Sequence, residues 1–360
     1  MMTYLLLHPK DLEGLVSMEA AIDAIESAYK EAASFPVISA PRRRIHSPAH
    51  VRFNTFPGGI HSLGVIGLAS HAEVIEQKGA VQHFGTREHQ ICVLHDSQTS
   101  RLKAIVIGAI SEKTLGYSTQ TALRTGATSG VGFRYLARED SRVVGLFGAG
   151  DQAVTQLLAL KRVRPIKEVR IFTRTKESRV QFATTYGEKF GLQIEPVDRP
   201  EEVVDGADVV ICATNTNVPV LKGEWLQHGQ HVTSIVGSNF ALVQAGWLKS
   251  PRREVDDDVV RRADIIAVNS REAVVQDRQG DLYEPIERGI IQLTQIHEIG
   301  EIACGQVPRR VDRKQITLHK NNAGMGVADI AVAMCAYEAA IKIGRGKLIE
   351  LEAVHSEETE

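Results

Sequence analysis

The sequence predicts an α/β chain in two parts: a doubly wound parallel sheet and a second α/β domain built on a mixed sheet. Three observations carry this. The apolar run VVGLF at 143–147 leads straight into a glycine turn and then a helix-patterned segment. Beyond it, short apolar runs alternate with helical stretches of about a dozen residues, the mark of βαβ units whose strands are covered on both faces. Before it, from residue 36 to 110, short β-branched runs are broken by Pro and Gly, which reads as an antiparallel or mixed sheet.

In chain order, SMEAAIDAIESAYKEAA (17–33) sets Met18, Ala21, Ile22, Ile25 and Tyr29 on one helical face behind Ser17 as N-cap. The strand candidates of the first sheet are RRRIHSP, VRFNTFPGG, GVIGLAS, AVQHF, HQICVLHD and RLKAIVIG, and the turn-rich DSQTS at 96–100 predicts a hairpin between the last two. STQTALRTGATSGVGFRYLA (118–137) reads as a helix. After VVGLF come the helix VTQLLALKRV, the strand EVRIF, a helix over 176–190, then QIEPV, a short helix at PEEVVDG, and the strands ADVVICAT, HVTSIV (231–236) and ADIIAVN (263–269). ITLHKNN (316–322) precedes a long helix whose expected buried stripe is Val327, Ile330, Ala331, Met334, Cys335 and Ile341. From Gly344 the composition turns polar and acidic, and a loose tail is expected. The predicted boundaries are 123–314 for the parallel-sheet domain and 1–122 with 315–360 for the other.

Composition excludes several classes. Lys and Arg total 42 against 44 Asp and Glu, a net charge of −2, which gives no electrostatic footprint for nucleic acid. No apolar run approaches the ~18 residues of a membrane helix, and the N-terminus makes a poor signal peptide. Cys92, Cys212, Cys304 and Cys335 are far apart with no CxxC spacing, as expected of reduced packing cysteines in a cytoplasmic protein. His83, His89 and His95 are too widely spaced along a strand to share a coordination shell, and HExxH is absent, so no metal site is expected. A G-x-S-x-G elbow is absent too, so a serine hydrolase is unsupported.

The strongest chemical signal is Gly148-Ala149-Gly150-Asp151-Gln152-Ala153, a G-x-G-x-x-A turn between strand and helix. Gly148 makes the tight turn, Gly150 lets the backbone approach a pyrophosphate, and Ala153 lets the helix pack closely. The helix N-terminus then offers free N–H groups to the phosphates, as in Rossmann-type folds. At the end of the second strand a carboxylate would bind the ribose of NAD, whereas a cation suits a 2′-phosphate. The chain reads Thr173-Arg174-Thr175-Lys176 with Arg179 a turn later, which points to NADP(H) over NAD, with Arg174 as the main phosphate contact. Arg42-Arg43-Arg44 and Arg124 offer converging guanidiniums for a substrate carboxylate, a solvated basic strand edge being the alternative.

Together LRTGATSGVGFRYLARED (123–140), VGLFGAGDQAVTQLLALKRVRPIKEVRIFTRTK (144–176), GADVVICATNTNVPVLKGEWLQHGQHV (206–232) and KNNAGMGVADIAVA (320–333) resemble the ornithine cyclodeaminase/μ-crystallin family. The likeness spans nearly the whole chain, and TRTK resembles the NADPH-binding μ-crystallin branch. The resemblance implies a homodimer, with substrate binding and dimerisation in the first domain, and hydride transfer at the α-carbon of a small amino or imino acid carrying a carboxylate. It places Arg124 and Arg43, with Arg44 as the neighbouring option, on the carboxylate. It places Thr125 and the 148–153 turn on the cofactor, and Thr214 and Asn215 along the ribose.

Two departures stand out. Cyclodeaminases carry a Lys after the strand near residue 65, where Leu63–Ala69 offers only apolar or small residues, and an Asp where this chain has Asn239. Asn cannot serve as an ordinary general base. The expectation is therefore an NADP-dependent imine reductase or amino-acid dehydrogenase, with Asn239 and Ser238 orienting the nicotinamide or the substrate nitrogen. His71, His83 and His89 are the candidate proton donors. The alternatives are an ornithine cyclodeaminase or amino-acid condensing synthase, and a non-catalytic NADPH-binding protein.

Overall fold

The computed structural model describes residues 2–35, 40–78, 81–87, 89–321 and 326–351. The first half of the chain builds a mixed sheet from β1 (Met2–Leu7), β2 (Arg43–His46), β3 (Val51–Ile60), β4 (Val65–Lys78), β5 (Val81–Arg87), β6 (Ile91–Asp96) and β7 (Leu102–Ile107). The second half builds a parallel sheet from β8 (Val143–Phe147), β9 (Glu168–Phe172), β10 (Gln193–Pro196), β11 (Val209–Cys212), β12 (His231–Ser234), β13 (Ile265–Val268), β14 (Ile296–Glu298) and β15 (Thr317–Lys320). A last strand, β16 (Lys347–Leu351), returns to the first sheet. Five long helices accompany them: α1 (Met18–Ser34), α2 (Gln120–Leu136), α3 (Asp151–Val163), α4 (Lys176–Phe190) and α5 (Gly326–Ile343).

The parallel sheet runs β10-β9-β8-β11-β12-β15-β13-β14. The chain winds outward from β8 to β10, then returns to β11 on the other side of β8, so the strand order reverses between β8 and β11. Open parallel sheets bind ligands at the carboxyl ends of their strands at such a reversal. Full burial of β11 and β13 explains their unbroken apolar character. The mixed sheet runs β16-β1-β7-β6-β4-β3-β2, with β5 also on β4. Among the described residues of this sheet only β1 and β7 pair in parallel; the β3–β4 hairpin and the β6–β7 hairpin around residues 96–101 are antiparallel.

Local chemistry sets the helix starts. Ser17 Oγ accepts the Ala20 N–H at 3.1 Å, and Thr119 Oγ1 accepts that of Ala122 at 3.1 Å. Helix α2 is buried along almost its whole length and packs on α1, α3 and β15, so it ties the two sheets together. Helix α5 lies across the inner face of β3 and β4, buried from Gly326 to Met334.

Three expectations change. The segment after Gly344 is not loose throughout: Lys347–Leu351 pairs antiparallel with β1, whose edge would otherwise leave backbone groups unpaired. The chain leaves the parallel sheet after Lys320, not at residue 314, because β15 fills the place between β12 and β13. Ile341 is 55% exposed, since the last turns of α5 run beyond the sheet. The short β14 had no periodic signal to reveal it.

Candidate active site

A cleft of about 950 Å³ opens over the carboxyl ends of β8, β9, β11 and β12 and is faced by β2, β3, β4 and the start of α2. Its floor begins at the turn after β8. Gly148 sits at φ +105°, and a Cβ there would lie 2.1 Å from the Ala213 carbonyl oxygen, so both conformation and space demand glycine. Gly150 caps α3, and a Cβ there would meet no protein atom within 4 Å. The opening above it belongs to the cleft, where Ala149, Asp151 and Gln152 also lie. Ser118 Oγ donates to Asp151 Oδ2 at 2.9 Å, and Gln152 Oε1 is buried with no hydrogen-bond partner among the described residues. Ala153 is wholly buried beneath. Bare backbone at a helix start and open space above Gly150 fit a dinucleotide diphosphate.

Thr173, Arg174 and Thr175 follow β9 along the same cleft. Arg174 is exposed and makes no hydrogen bond or ion pair with the described residues. Arg179 is placed otherwise than expected. It is buried away from the cleft lining, donates to the Thr173 carbonyl at 3.0 Å and Asp198 Oδ1 at 2.5 Å, and lies over the Phe172 ring. It braces the end of β9.

The loops after β11 and β12 form the next wall, with Thr214, Asn215, Gly237 and Ser238 in the lining. Ser238 spends its hydroxyl on the Asp277 carbonyl, while its own carbonyl accepts from Arg44 Nη1 at 3.1 Å. Asn239 is not in the lining. Its Oδ1 accepts the Arg252 N–H at 2.8 Å and its buried Nδ2 has no hydrogen-bond partner among the described residues, because its backbone starts a short helix at Phe240 and turns the side chain inward.

Opposite lies a cationic pocket. Arg44 faces the cleft and Arg43 does not, since side chains alternate along β2 and Arg43 points to the exposed side. Arg42 joins Arg44 in the lining and pairs with Asp277 at 2.5 Å. Burial works against the Asp277 carboxyl, yet Arg42 and Arg44 hold it below the usual range. Burial, then the neighbouring Arg42, pushes the Arg44 guanidinium down, so an added anion there would stabilise its charge. Arg124 enters from α2, donates to Asp329 Oδ1 at 3.2 Å and Thr125 Oγ1 at 3.1 Å, and sits over the Phe56 ring. Thr125 lines the cleft beside it.

Between the arginines stands His71, on the inward face of β4. It stacks on Phe56 with ring centroids 5.4 Å apart, and its Nε2 is 3.3 Å from Asn54 Nδ2 and 3.8 Å from Glu73 Oε1. Asn54 Oδ1 accepts from Arg44 Nε at 3.2 Å, and Glu73 Oε1 accepts from Arg52 Nε at 2.8 Å. His89 is exposed outside the lining, and the His83 side chain lies outside the described residues. Arg52, Asn54, Glu73, Asp277 and the buried Glu254 were not singled out from the sequence. A signal existed for three of them: Arg52, Asn54 and Glu73 are polar residues at alternate positions in line with the apolar Phe56, Ile60, Val65 and Ala69 of β3 and β4. Among the described residues no group of three His, Cys, Asp or Glu is arranged to hold a metal ion.

The family model for the ornithine cyclodeaminase/μ-crystallin family matches residues 2–343. The chain belongs to that family. Δ1-Pyrroline-2-carboxylate reductase of Bacillus thuringiensis subsp. konkukian is 31% identical over 351 residues, covering 96% of this chain and 99% of the relative. The solved structure of Thermococcus litoralis Δ1-pyrroline-2-carboxylate reductase, in complex with NADH and L-proline, superposes with a TM-score of 0.80 at 30% identity over 95% and 99% of the two chains. An archaeal alanine dehydrogenase dimer with bound NAD gives 0.80 at 26% identity, over 98% of this chain and all of that one. Among the described residues of this chain no helix is long and apolar enough to cross a membrane.

Proposed function

We propose that this protein is an NADP(H)-dependent imine reductase that acts on a small cyclic ketimine bearing a carboxylate, of the Δ1-pyrroline-2-carboxylate type. The observation that carries it is the single cleft that joins the Gly148–Gln152 turn to Arg44, Arg124 and His71. The nicotinamide cofactor supplies the hydride. Every other requirement falls to the chain. Arg44 and Arg124 hold the carboxylate through charge-assisted hydrogen bonds and fix the ring of the substrate. A protonated imine is the better hydride acceptor, and His71 is the ionisable group of the pocket suited to supply that proton, with Glu73 and Asn54 setting its ring. Holding both reactants in one geometry provides much of the acceleration. The relatives named for imine reduction and the complex with L-proline support this substrate class.

Arg174 supports NADP(H), because a free guanidinium at the end of the second strand suits a 2′-phosphate. A homodimer is part of the proposal. Ile45, Phe53, Ile66, Leu68 and Ile91 share the outer face of the mixed sheet and are all exposed, an apolar patch suited to a second copy of the chain. The test is NADPH oxidation with Δ1-pyrroline-2-carboxylate against an acyclic imine formed from a 2-oxo acid and an amine. Turnover of the ring imine with net cofactor oxidation supports the proposal. Ammonia release from ornithine without net oxidation favours a cyclodeaminase, and cofactor binding with no turnover favours a binding protein.

A further inference from the structure

Behind the cleft lies a cluster of buried charges that touches neither the arginine pocket nor the phosphate turn. Glu254, Asp281 and Lys320 are each wholly buried. Lys320 Nζ donates to Asp281 Oδ2 at 2.6 Å, to the Val236 carbonyl at 2.7 Å and to Ser234 Oγ at 2.9 Å. Asp281 Oδ1 accepts the Glu254 N–H at 2.8 Å. Ser234 Oγ lies 2.8 Å from both Glu254 Oε2 and Asp281 Oδ2, and its single proton serves one of them.

The remaining side-chain bonds of Glu254 run to the two loops that wall the cleft. Its Oε1 accepts from the Thr214 N–H at 2.6 Å and the Thr214 hydroxyl at 2.8 Å. Its Oε2 accepts the N–H groups of Ile235 at 2.9 Å and Val236 at 2.8 Å. One carboxylate therefore ties the loop after β11 to the loop after β12, one oxygen to each. A buried ion cluster is a weak source of net stability, since apolar residues of similar volume commonly do as well. What these bonds do provide is a fixed spacing between Thr214–Thr216 and Ile235–Ser238, the stretches that line the cleft beyond the phosphate turn.

We infer that Glu254, braced by Asp281 and Lys320, is a positioning residue for the nicotinamide half of the cofactor site. It sets the two loops so that the reactive ring is held toward the arginine pocket, while the adenosine half is held independently by the 148–152 turn and Arg174. This rests on the cleft taking a dinucleotide, and on nothing about which imine is reduced.

The test compares two ligands on wild-type protein, Glu254→Gln and Ser234→Ala. NADPH reports the whole site; 2′,5′-ADP reports the adenosine half alone, with NADH and 5′-AMP as the pair if NADH proves to be preferred. The Gln amide cannot accept at both ends, so one loop is released. NADPH should bind about fivefold or more weakly, the equivalent of about one hydrogen bond, while 2′,5′-ADP changes by less than about twofold. Ser234→Ala removes one hydroxyl, preserves the charges, and should move NADPH alone in the same direction by a smaller factor. Equal weakening of both ligands would mean general loosening and would overturn the inference, as would no change in either. Failure of wild-type protein to bind any of these ligands would instead defeat the cofactor assignment, and the inference with it.

Discussion

Replacing Arg174 with Ala tests the choice of cofactor in isolation. Its side chain is exposed at the cleft and makes no hydrogen bond or ion pair with the described residues, so its removal breaks none of either among them. A hydrogen bond to a charged group contributes about 1.5–3 kcal/mol when shielded. At an exposed position salt screens much of this over a Debye length of about 8 Å, so the lower end applies and the loss is about tenfold. The assay is kcat/KM for NADPH and for NADH, each at low and at physiological ionic strength. The variant should lose about tenfold with NADPH, nothing with NADH, and most of the salt dependence of the NADPH reaction. Arg179→Ala is the control. It removes the ties to Thr173, Asp198 and Phe172, so both cofactors should suffer together and the Tm should fall. An unchanged NADPH-to-NADH ratio in the Arg174 variant would refute the 2′-phosphate assignment.

Arg124→Lys keeps a cation beside Asp329 but loses the planar fork; kcat/KM for the imine should fall at least about a hundredfold with the NADPH Kd nearly unchanged, and a proportional loss of cofactor affinity would contradict its place on the substrate. His319 is wholly buried beside Asn269, and burial, then Lys320, pushes its pKa down to about 3. The unfolded chain therefore binds the extra proton first, so the stabilising contribution is complete above about pH 6.5 and is lost as the pH falls toward 3. His231, also lowered by burial, acts the same way, while Glu254 and Glu298, raised by burial, act in the opposite sense. His319→Gln isolates the effect: between pH 7 and 5 its unfolding free energy should fall less steeply than the wild type's, by up to about 1.4 kcal/mol per pH unit, and coincident slopes in urea titrations would rule this out. Leu68→Asp puts a charge on the exposed apolar sheet face and should convert a dimer to a monomer by sedimentation, a result excluded if the wild type already sediments as a monomer.

The glycine turn and the parallel sheet were legible because their signals are local: a strand, a tight bend and a helix start follow one another without a gap. The arginine triplet was not resolvable in the same way. Three consecutive identical residues carry no alternation, so only the pairing of Arg44 with Asn54 in the β2–β3 register shows which of them faces inward. Arg179 illustrates the converse. Its place a turn after the end of the second strand suited a phosphate contact, but helical geometry returns it to Phe172 and Asp198. Glu254, Asp281 and Lys320 come from three separated segments, and no spacing rule links residues that meet only through tertiary packing. The same holds for Asp277, which reaches Arg42 across more than two hundred residues of chain. His71 was named only as one of three candidate donors; the inward face of β4 places it in the cleft, whereas His89 lies outside the lining.

A crystal structure with NADPH and the amino-acid product bound together tests the central claim most directly. The diphosphate should rest on the backbone of Gly148–Gln152, with the product carboxylate on Arg44 and Arg124 and its ring nitrogen toward His71. A dinucleotide bound elsewhere, or a carboxylate remote from both arginines, would contradict it.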